Sequence, residues 1–382
     1  MEKIDLSFVF PCLNEEHTVP IVIKELKDIL DKTNISAEII LSDNGSTDSS
    51  VELAKKYGGD KLRVVHALEK GYGEALKCGF NAAKGKYIAF ADIDGSYPLE
   101  YLPKMYDQAV LHNADMVVAS RMKGKIEKGA MPFLHRYLGT PVLTKIINFL
   151  FNGKLSDCNS GFRLIKKEAY QTWNIGSSGM EFASELLVKA LKNNADIIEI
   201  PAGLRVDKRE TPPHLRTWRD GMRHLLFILS EAPKFFEILG ISVAFMSVLL
   251  WIIATLVGPL NVGKIAILDY HSKLIFLIGM ILGLQCWFFS IFLYLTKPED
   301  HACKLTNSLI TLKEETLFFF LFIVLLLMSI ALCGFVIYWA MHGYHNIFAV
   351  SSLIDIIFVS SFFLILCSEL LQIHILQRSL KK

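Results

Sequence analysis

The chain has 382 residues, is 52% hydrophobic and carries a formal net charge of +2. That length exceeds one ordinary domain, so at least two parts are expected; the near-neutral balance gives no reason to expect nucleic acid as a partner. The seven cysteines (Cys12, Cys78, Cys158, Cys286, Cys303, Cys333 and Cys367) contain no Cys-x-x-Cys pair, which speaks against a disulfide framework or a structural metal site and fits a reducing compartment.

The first residues, Met1 to Asp5, lack the basic region and long apolar core of a secretory signal, and the first part is expected to stay where it is made. From there to residue 205 strand-like runs (Leu6 to Phe10, Glu38 to Leu41, Leu62 to His66, Tyr87 to Ala91, Met116 to Ala119) alternate with helix-like segments (Thr18 to Leu30, Ser49 to Tyr57, Tyr72 to Ala83, Leu99 to Leu111). This alternation predicts an α/β fold, a mostly parallel sheet with helices on both faces. Ligands of such sheets sit at the carboxyl ends of strands, and three strands here end in polar clusters.

The first strand runs into Pro11-Cys12-Leu13-Asn14-Glu15-Glu16 and the second into Asp43-Asn44-Gly45-Ser46-Thr47-Asp48. Taken singly, each also reads as turn and helix-cap chemistry; together they make a carboxylate- and amide-rich pocket suited to a base and ribose. The fourth strand ends in Asp92-Ile93-Asp94-Gly95-Ser96. Two carboxylates so placed suit Mg²⁺ or Mn²⁺, which keeps positions for water and substrate phosphate.

These motifs, with Lys70-Gly71-Tyr72-Gly73 and Asp157-Cys158-Asn159-Ser160-Gly161-Phe162-Arg163, resemble in order the family-two glycosyltransferases of the GT-A fold. More narrowly, residues 4 to 230 are similar to the polyprenyl-phosphate glycosyltransferases. The resemblance implies a GT-A, Rossmann-like domain over residues 1–204. It implies that Pro11, Asn14, Glu15 and Asp43 line a nucleoside pocket, that Asp92 and Asp94 hold the metal and diphosphate, and that Lys70 and Gly73 border the donor sugar and phosphates. Arg121 and Arg136 stand where the family carries acceptor-phosphate arginines. Arg163 is expected either to shape the same site or to form a structural ion pair.

Between Pro132 and Phe151 apolar residues interleave with His135, Arg136 and Lys145, as in a helix lying in a membrane interface. Gly139 and Pro141 predict a break into two pieces there. Residues 205–234 read as a loop, with Pro212-Pro213 over the pocket and Arg205, Lys208 and Arg209 closing on the diphosphate, followed by a basic amphipathic helix from Arg216 to Leu229. The plainer alternative for both helices is packing on the sheet.

Four apolar runs follow, roughly Phe235 to Gly258, Leu274 to Leu295, Leu317 to Ala340 and Ser352 to Ile373, each near the ~20 residues that span a bilayer. They predict an all-α transmembrane domain over residues 235–382. Lys297, Lys304 and Lys313, with Arg378, Lys381 and Lys382, place those connections, the C-terminus and the catalytic domain in the cytoplasm. The expectation is an integral inner-membrane (or equivalent) enzyme. A UDP- or GDP-linked sugar would be the donor, a polyprenyl phosphate the acceptor, and a homo-oligomer is left open. A processive polysaccharide synthase is the nearest rival, but no Gln-x-x-Arg-Trp segment occurs. A lipid-linked-sugar translocator is the rival from another class; the spans hold few ionisable groups, chiefly Asp355, Glu369 and His374.

Overall fold

A computed structural model describes residues 4–209, 217–262, 265–297, 300–341 and 348–380. They form two compact units, the first ending at Leu229 and the second beginning at Ser230. In chain order the first unit contains β1 (Leu6–Cys12), α1 (Val19–Leu30), β2 (Ala37–Asp43), α2 (Ser50–Gly58), β3 (Leu62–His66), α3 (Tyr72–Ala82), β4 (Tyr87–Phe90), α4 (Leu102–Leu111), β5 (Met116–Ser120), α5 (Thr140–Phe151), β6 (Arg163–Lys166), α6 (Lys167–Thr172), α7 (Phe182–Lys192), β7 (Ile197–Pro201) and α8 (Thr217–Ser230).

The seven strands pair in the order β3-β2-β1-β4-β6-β5-β7. All neighbours are parallel except β6, which is antiparallel to β4 and β5. Alternate residues serve the two faces, as a period of two requires. Leu6, Phe8, Phe10 and Cys12 of β1 pack with α1, α2 and α4, whereas Val9 packs with α3, α5 and α7. Pro11 fits inside β1 because the pairing with β4 stops at Val9↔Phe90, leaving its missing N–H without a strand partner there.

Chain order reverses between β1 and β4, so the crevice for a ligand opens beyond their carboxyl ends. The antiparallel β6 adds to it: Arg163 pairs with Phe90, which brings the segment 157–162 to the same edge. The strands β6 and β7 escape a reading by pattern because they are short and lack clean alternation.

The predicted break at Gly139 and Pro141 does not occur. The helix runs on from residue 133 through a π-helical turn, His135–Gly139, into α5. Thr140 N–H bonds to the His135 carbonyl, the i→i−5 spacing of a π-turn, so the helix absorbs a proline whose ring and missing N–H would otherwise kink it. One face of α8 follows the plainer alternative. Ile228 is buried against the sheet's helical layer, with Leu225 and Phe227 beside it, and His224 Nδ1 lies 2.7 Å from Ser184 Oγ. Met222 and Leu226 on the same helix are exposed. The predicted Pro212-Pro213 loop and Arg216 lie outside the described residues.

The second unit contains α9 (Pro233–Val257), the short antiparallel strands β8 (Leu260–Val262) and β9 (Ile265–Ile267), α10 (Tyr270–Thr296), α11 (Lys304–Ile310), α12 (Glu314–Met341) and α13 (Phe348–Leu380). Among the described residues, four helices are long and apolar enough to cross a membrane: Pro233–Val257, Tyr270–Thr296, Glu315–Tyr338 and Leu353–Leu380. Without a hydrophobic drive between helices in lipid, small residues that let backbones approach supply the packing. Gly240 faces the backbone of Trp287, Gly283 that of Ala244, and Gly279 the Ser247 side chain.

Several polar side chains within these helices pair with one another. Lys273 Nζ lies 2.9 and 3.0 Å from the Asp355 oxygens, Trp251 Nε1 donates to Asp355 at 3.0 Å, Gln285 donates to Glu369 at 3.0 Å, and Tyr294 to Glu237 at 3.0 Å. Gly283→Leu is expected to force α9 from α10 and destabilise the unit by about 1–3 kcal/mol or more. A lowered melting temperature in detergent, with nucleotide binding retained, is the result to look for.

Candidate active site

Five strand-end segments converge at the crevice. The loops after β1 and β2 are stitched reciprocally: Asn14 N–H donates to Ser46 Oγ (3.0 Å) and Asn14 Oδ1 accepts from Thr47 N–H (2.8 Å). Glu16 N–H donates to Asp48 (3.1 Å) while Glu16 accepts from Ser49 N–H (3.0 Å). Asn14 adopts a left-handed φ of 56°, which asparagine tolerates better than most residues. Asp43 is buried; its oxygens accept the N–H groups of Ser46 (3.0 Å) and Gly45 (3.3 Å), and His66 Nδ1 lies 3.0 Å away. Burial alone would raise its pKa, but bonds from Ser46 and His66 outweigh that and hold the carboxyl below its usual range.

Asn44, absent from the predicted nucleoside set, positions the next loop: its Nδ2 donates to the Glu69 carbonyl (2.9 Å) and its Oδ1 accepts from Gly71 N–H (2.8 Å). Gly73, expected to border the donor sugar and phosphates, also has a packing role. A Cβ there would meet the Ser177 carbonyl at 2.5 Å, so its small size serves the packing of α3 on the 177–179 loop. Lys70 does face open space, a cavity of about 570 Å³ that Gly71 also lines.

Beyond β4, Asp92 Oδ1 accepts from the Tyr72 hydroxyl (2.9 Å), and Asp94 Oδ1 accepts from Ser96 N–H (2.9 Å) and Oγ–H (2.7 Å). Burial, then the charge of Asp94, pushes the Asp92 carboxyl up to about 7. Two bonds, Arg205 N–H to Ser96 O (2.8 Å) and Lys208 N–H to Asp94 O (3.0 Å), lay segment 205–208 along this turn. Arg209 then reaches inward: Nε lies 2.6 Å from Glu15 Oε1, Nη2 3.4 Å from Asp94 Oδ2, and Nη1 3.4 Å from Asp207. Arg205, expected to close on the diphosphate, instead clamps Glu25 (2.8 Å) and Glu100 (2.5 Å).

On the other side of β4 from β1, Arg121 is locked to the buried Asp157 through Nε (2.7 Å), Nη2 (2.8 Å) and its backbone N–H (3.0 Å). Burial would raise the Asp157 pKa, but the Arg121 charge and hydrogen bonds hold it well down. Arg163 is fully buried and donates to three carbonyls, Ser160 (2.9 Å), Ala183 (2.7 Å) and Cys158 (2.9 Å). It is a buried organiser of the 158–162 loop, the first of its two expected roles, and among the described residues no carboxylate forms an ion pair with it. Gly161 is required at the turn: a Cβ would come within 2.8 Å of Asp92 Oδ2 and 3.1 Å of the Tyr97 hydroxyl. Arg136 is half-buried on the helix that precedes α5, its guanidinium over the Tyr137 ring (5.4 Å to the centroid). Its neighbour His135 lies close enough to Arg121 that burial and that positive charge lower its pKa.

Among the described residues no group of three or more His, Cys, Asp or Glu side chains converges as a metal-binding set. Asp92 and Asp94 nonetheless fit a hard cation that takes one or two carboxylates and fills the rest of its shell with water and phosphate. The guanidinium held between Asp94 and Glu15 shows that positive charge is stabilised at this point.

The glycosyl transferase family 2 model matches residues 7–173. A dolichyl-phosphate hexose transferase of Haloferax volcanii is 32% identical over 213 residues, covering 54% of this chain and 86% of that protein. The chain belongs to glycosyl transferase family 2. A second relative of this glycosyltransferase, the low-salt glycan biosynthesis hexosyltransferase Agl6 of the same organism, is 36% identical over 250 residues, or 65% of this chain. The match spans 59% of that relative's length. Among solved structures, glucosyl-3-phosphoglycerate synthase from Mycobacterium tuberculosis aligns with a TM-score of 0.49 and 23% identity, covering 60% of this chain and 80% of that one.

The Asp157 carboxyl sets an acid limit on the fold of this glycosyltransferase. Its folded pKa is depressed, so its stabilisation is fully present above the unfolded value of about 4 and is lost as pH falls through the folded one. Asp157→Asn is expected to flatten the loss of stability as pH falls below about 4, read from denaturant midpoints on the acid side.

Proposed function

We propose that this protein is a membrane-bound inverting glycosyltransferase that moves a hexosyl group from a nucleotide sugar, UDP- or GDP-linked, to the phosphate of a polyprenyl lipid on the cytoplasmic face. The relative named as a dolichyl-phosphate hexose transferase supports the acceptor class. The observation that carries the reading is the helix spanning residues 133–151. It brings His135 beside Arg121 while leaving Phe133, Leu134, Tyr137, Leu138 and Val142 exposed. A solvent-facing apolar row on the helix that also carries Arg136 suits an anionic lipid in an interface.

In this reading the nucleoside lies over Pro11, Asn14, Glu15 and Asp43, and the diphosphate lies against Asp92 and Asp94. Mg²⁺ or Mn²⁺ held there would neutralise charge on the departing nucleoside diphosphate. Donor binding draws Arg209 from Glu15 and Asp94 onto the phosphates, where a guanidinium pairs well with two oxygens. Asp157 fixes Nε and Nη2 of Arg121, so Nη1 is the group directed to the acceptor phosphate. Phosphate monoesters have a second pKa near 6 and are largely dianionic at pH 7, so the attacking oxygen needs no general base. It attacks the anomeric carbon opposite the leaving diphosphate, and the configuration inverts. Chain continuity supports delivery from the bilayer: only Glu231 and Ala232 separate α8 from α9, the first helix long enough to span.

Product structure tests the proposal. From an α-linked donor, ¹H and ³¹P spectra of the lipid product should show a β-glycosyl phosphodiester. Retained α configuration, or a sugar joined to sugar, would sink it.

A further inference from the structure

Glu181, which lines a cavity of about 570 Å³ together with Lys70, Gly71, Ser178, Gly179 and Arg223, has one carboxylate oxygen that the fold itself does not satisfy. Glu181 Oε2 is buried and, among the described residues, is the one buried side-chain oxygen or nitrogen without a hydrogen-bond partner. Among the described residues, its other oxygen accepts a single long bond, 3.3 Å, from Gly179 N–H. A buried carboxylate oxygen without a protein partner is costly, and beside a cavity it is a candidate acceptor for a group that enters there.

The carboxylate is held in place by a pinned loop. Gly176 and Ser177 N–H groups donate to Glu185 (3.0 and 2.7 Å), Lys77 Nζ donates to the Gly176 carbonyl (3.1 Å), and Glu74 N–H donates to the Ser178 carbonyl (3.2 Å). Gly71, a wall of the cavity, adjoins Tyr72, whose hydroxyl is on Asp92. The cavity therefore adjoins the place where the diphosphate would end and the sugar begin.

Its volume lies within the range of small-molecule sites. Its chemistry is mixed, one acceptor-only carboxylate facing two donor-only cations, Lys70 and Arg223. A free phosphate would meet Glu181 with like charge, and a bare cation would meet Lys70 and Arg223. A sugar hydroxyl satisfies both kinds of partner, because it donates to the carboxylate and accepts from the ammonium or guanidinium.

We propose that Glu181 is a specificity-determining residue for the donor sugar, its Oε2 accepting a hydrogen bond from a ring hydroxyl of the hexosyl group. This rests on the reading of the protein as a nucleotide-sugar transferase. Gly179 is its positioning partner: a Cβ there would come within 2.6 Å of Oε2 and push the carboxylate out of register.

Titration calorimetry on the full chain in detergent tests this without any acceptor. The probes are UDP, GDP, UDP-glucose, UDP-galactose, UDP-N-acetylglucosamine and GDP-mannose. Glu181→Ala is expected to weaken the best-bound sugar nucleotide by about tenfold or more, the worth of a hydrogen bond to a charged group. The matching nucleoside diphosphate should bind as before, and preference between epimers should shrink. Gly179→Ala, with the charge retained, should shift affinity the same way, and an unchanged melting temperature excludes misfolding as the cause. Equal weakening of the nucleotide alone, no weakening, or no probe sugar nucleotide bound more tightly than its diphosphate would overturn the proposal. So would a fall in kcat with KM unchanged, which marks a proton-transfer role. Failure of lipid-phosphate transfer alongside the expected binding pattern would sink only the acceptor assignment.

Discussion

Asp94→Asn is expected to cut sugar transfer by about a hundredfold to a thousandfold while leaving the fold intact. Asp94 Oδ1 accepts both bonds from Ser96, and an asparagine carbonyl preserves them. Asp94 Oδ2 faces the Arg209 guanidinium at 3.4 Å, and the negative charge at that oxygen is what the substitution removes. If the group stabilises a metal-bound leaving diphosphate, its loss falls on the transition state, where one preorganised electrostatic contact is worth roughly 10²–10³ in kcat. Arg209 keeps Glu15 and Asp207 as partners, so the loop has no reason to open. Initial rates at saturating donor, with the melting temperature beside them, give the answer; full activity with metal present would remove the metal assignment at Asp94.

The second large effect belongs to Arg121. Asp157 is fully buried and receives three hydrogen bonds from this one residue, together with Asn159 N–H at 3.2 Å. Truncating Arg121 to alanine strands a buried carboxylate, and breaking such a pair costs about 3–5 kcal/mol. Loss of activity in that single variant would therefore say little about catalysis. Replacing both partners by apolar residues of similar volume removes the stranded charge and should recover most of the stability. The double variant Arg121→Met with Asp157→Leu is accordingly expected to fold, to bind nucleotide sugar, and to fail in transfer to lipid phosphate. Recovery of transfer along with stability would reduce Arg121 to a structural residue.

These expectations lean on residues whose legibility in the sequence was uneven. Glu15, Asp43, Asp92 and Asp94 could be found by pattern because parallel strands force their carboxyl ends onto one edge, so polar clusters ending apolar runs meet in space. The pairing of Arg209 with Glu15 spans 194 positions, and no local pattern encodes such a partner; the sequence suggests only that Arg209 closes on a diphosphate. Sequence leaves Arg163 between shaping the site and a structural ion pair, since it shows a charge but not that three carbonyls surround it. Gly73 sits in a motif that suggests phosphate, yet its size answers to the Ser177 carbonyl. Tyr72 reads as part of a helix and of the Lys70-Gly71-Tyr72-Gly73 motif but with no role of its own, because its hydroxyl on Asp92 requires knowing that the start of α3 meets the end of β4. The π-turn was equally hidden, since a proline in a helical run ordinarily signals a break.

The central claim is that the site joins a nucleotide-sugar donor to a lipid phosphate. The most direct measurement incubates the detergent-solubilised full chain with radiolabelled nucleotide sugars, comparing a polyprenyl phosphate with the same polyprenol lacking phosphate, and divalent metal with a chelator. Label is expected in the organic phase only with the phosphorylated lipid and only with metal present. Equal labelling of the unphosphorylated polyprenol, or labelled polymer left in the aqueous phase, would contradict it.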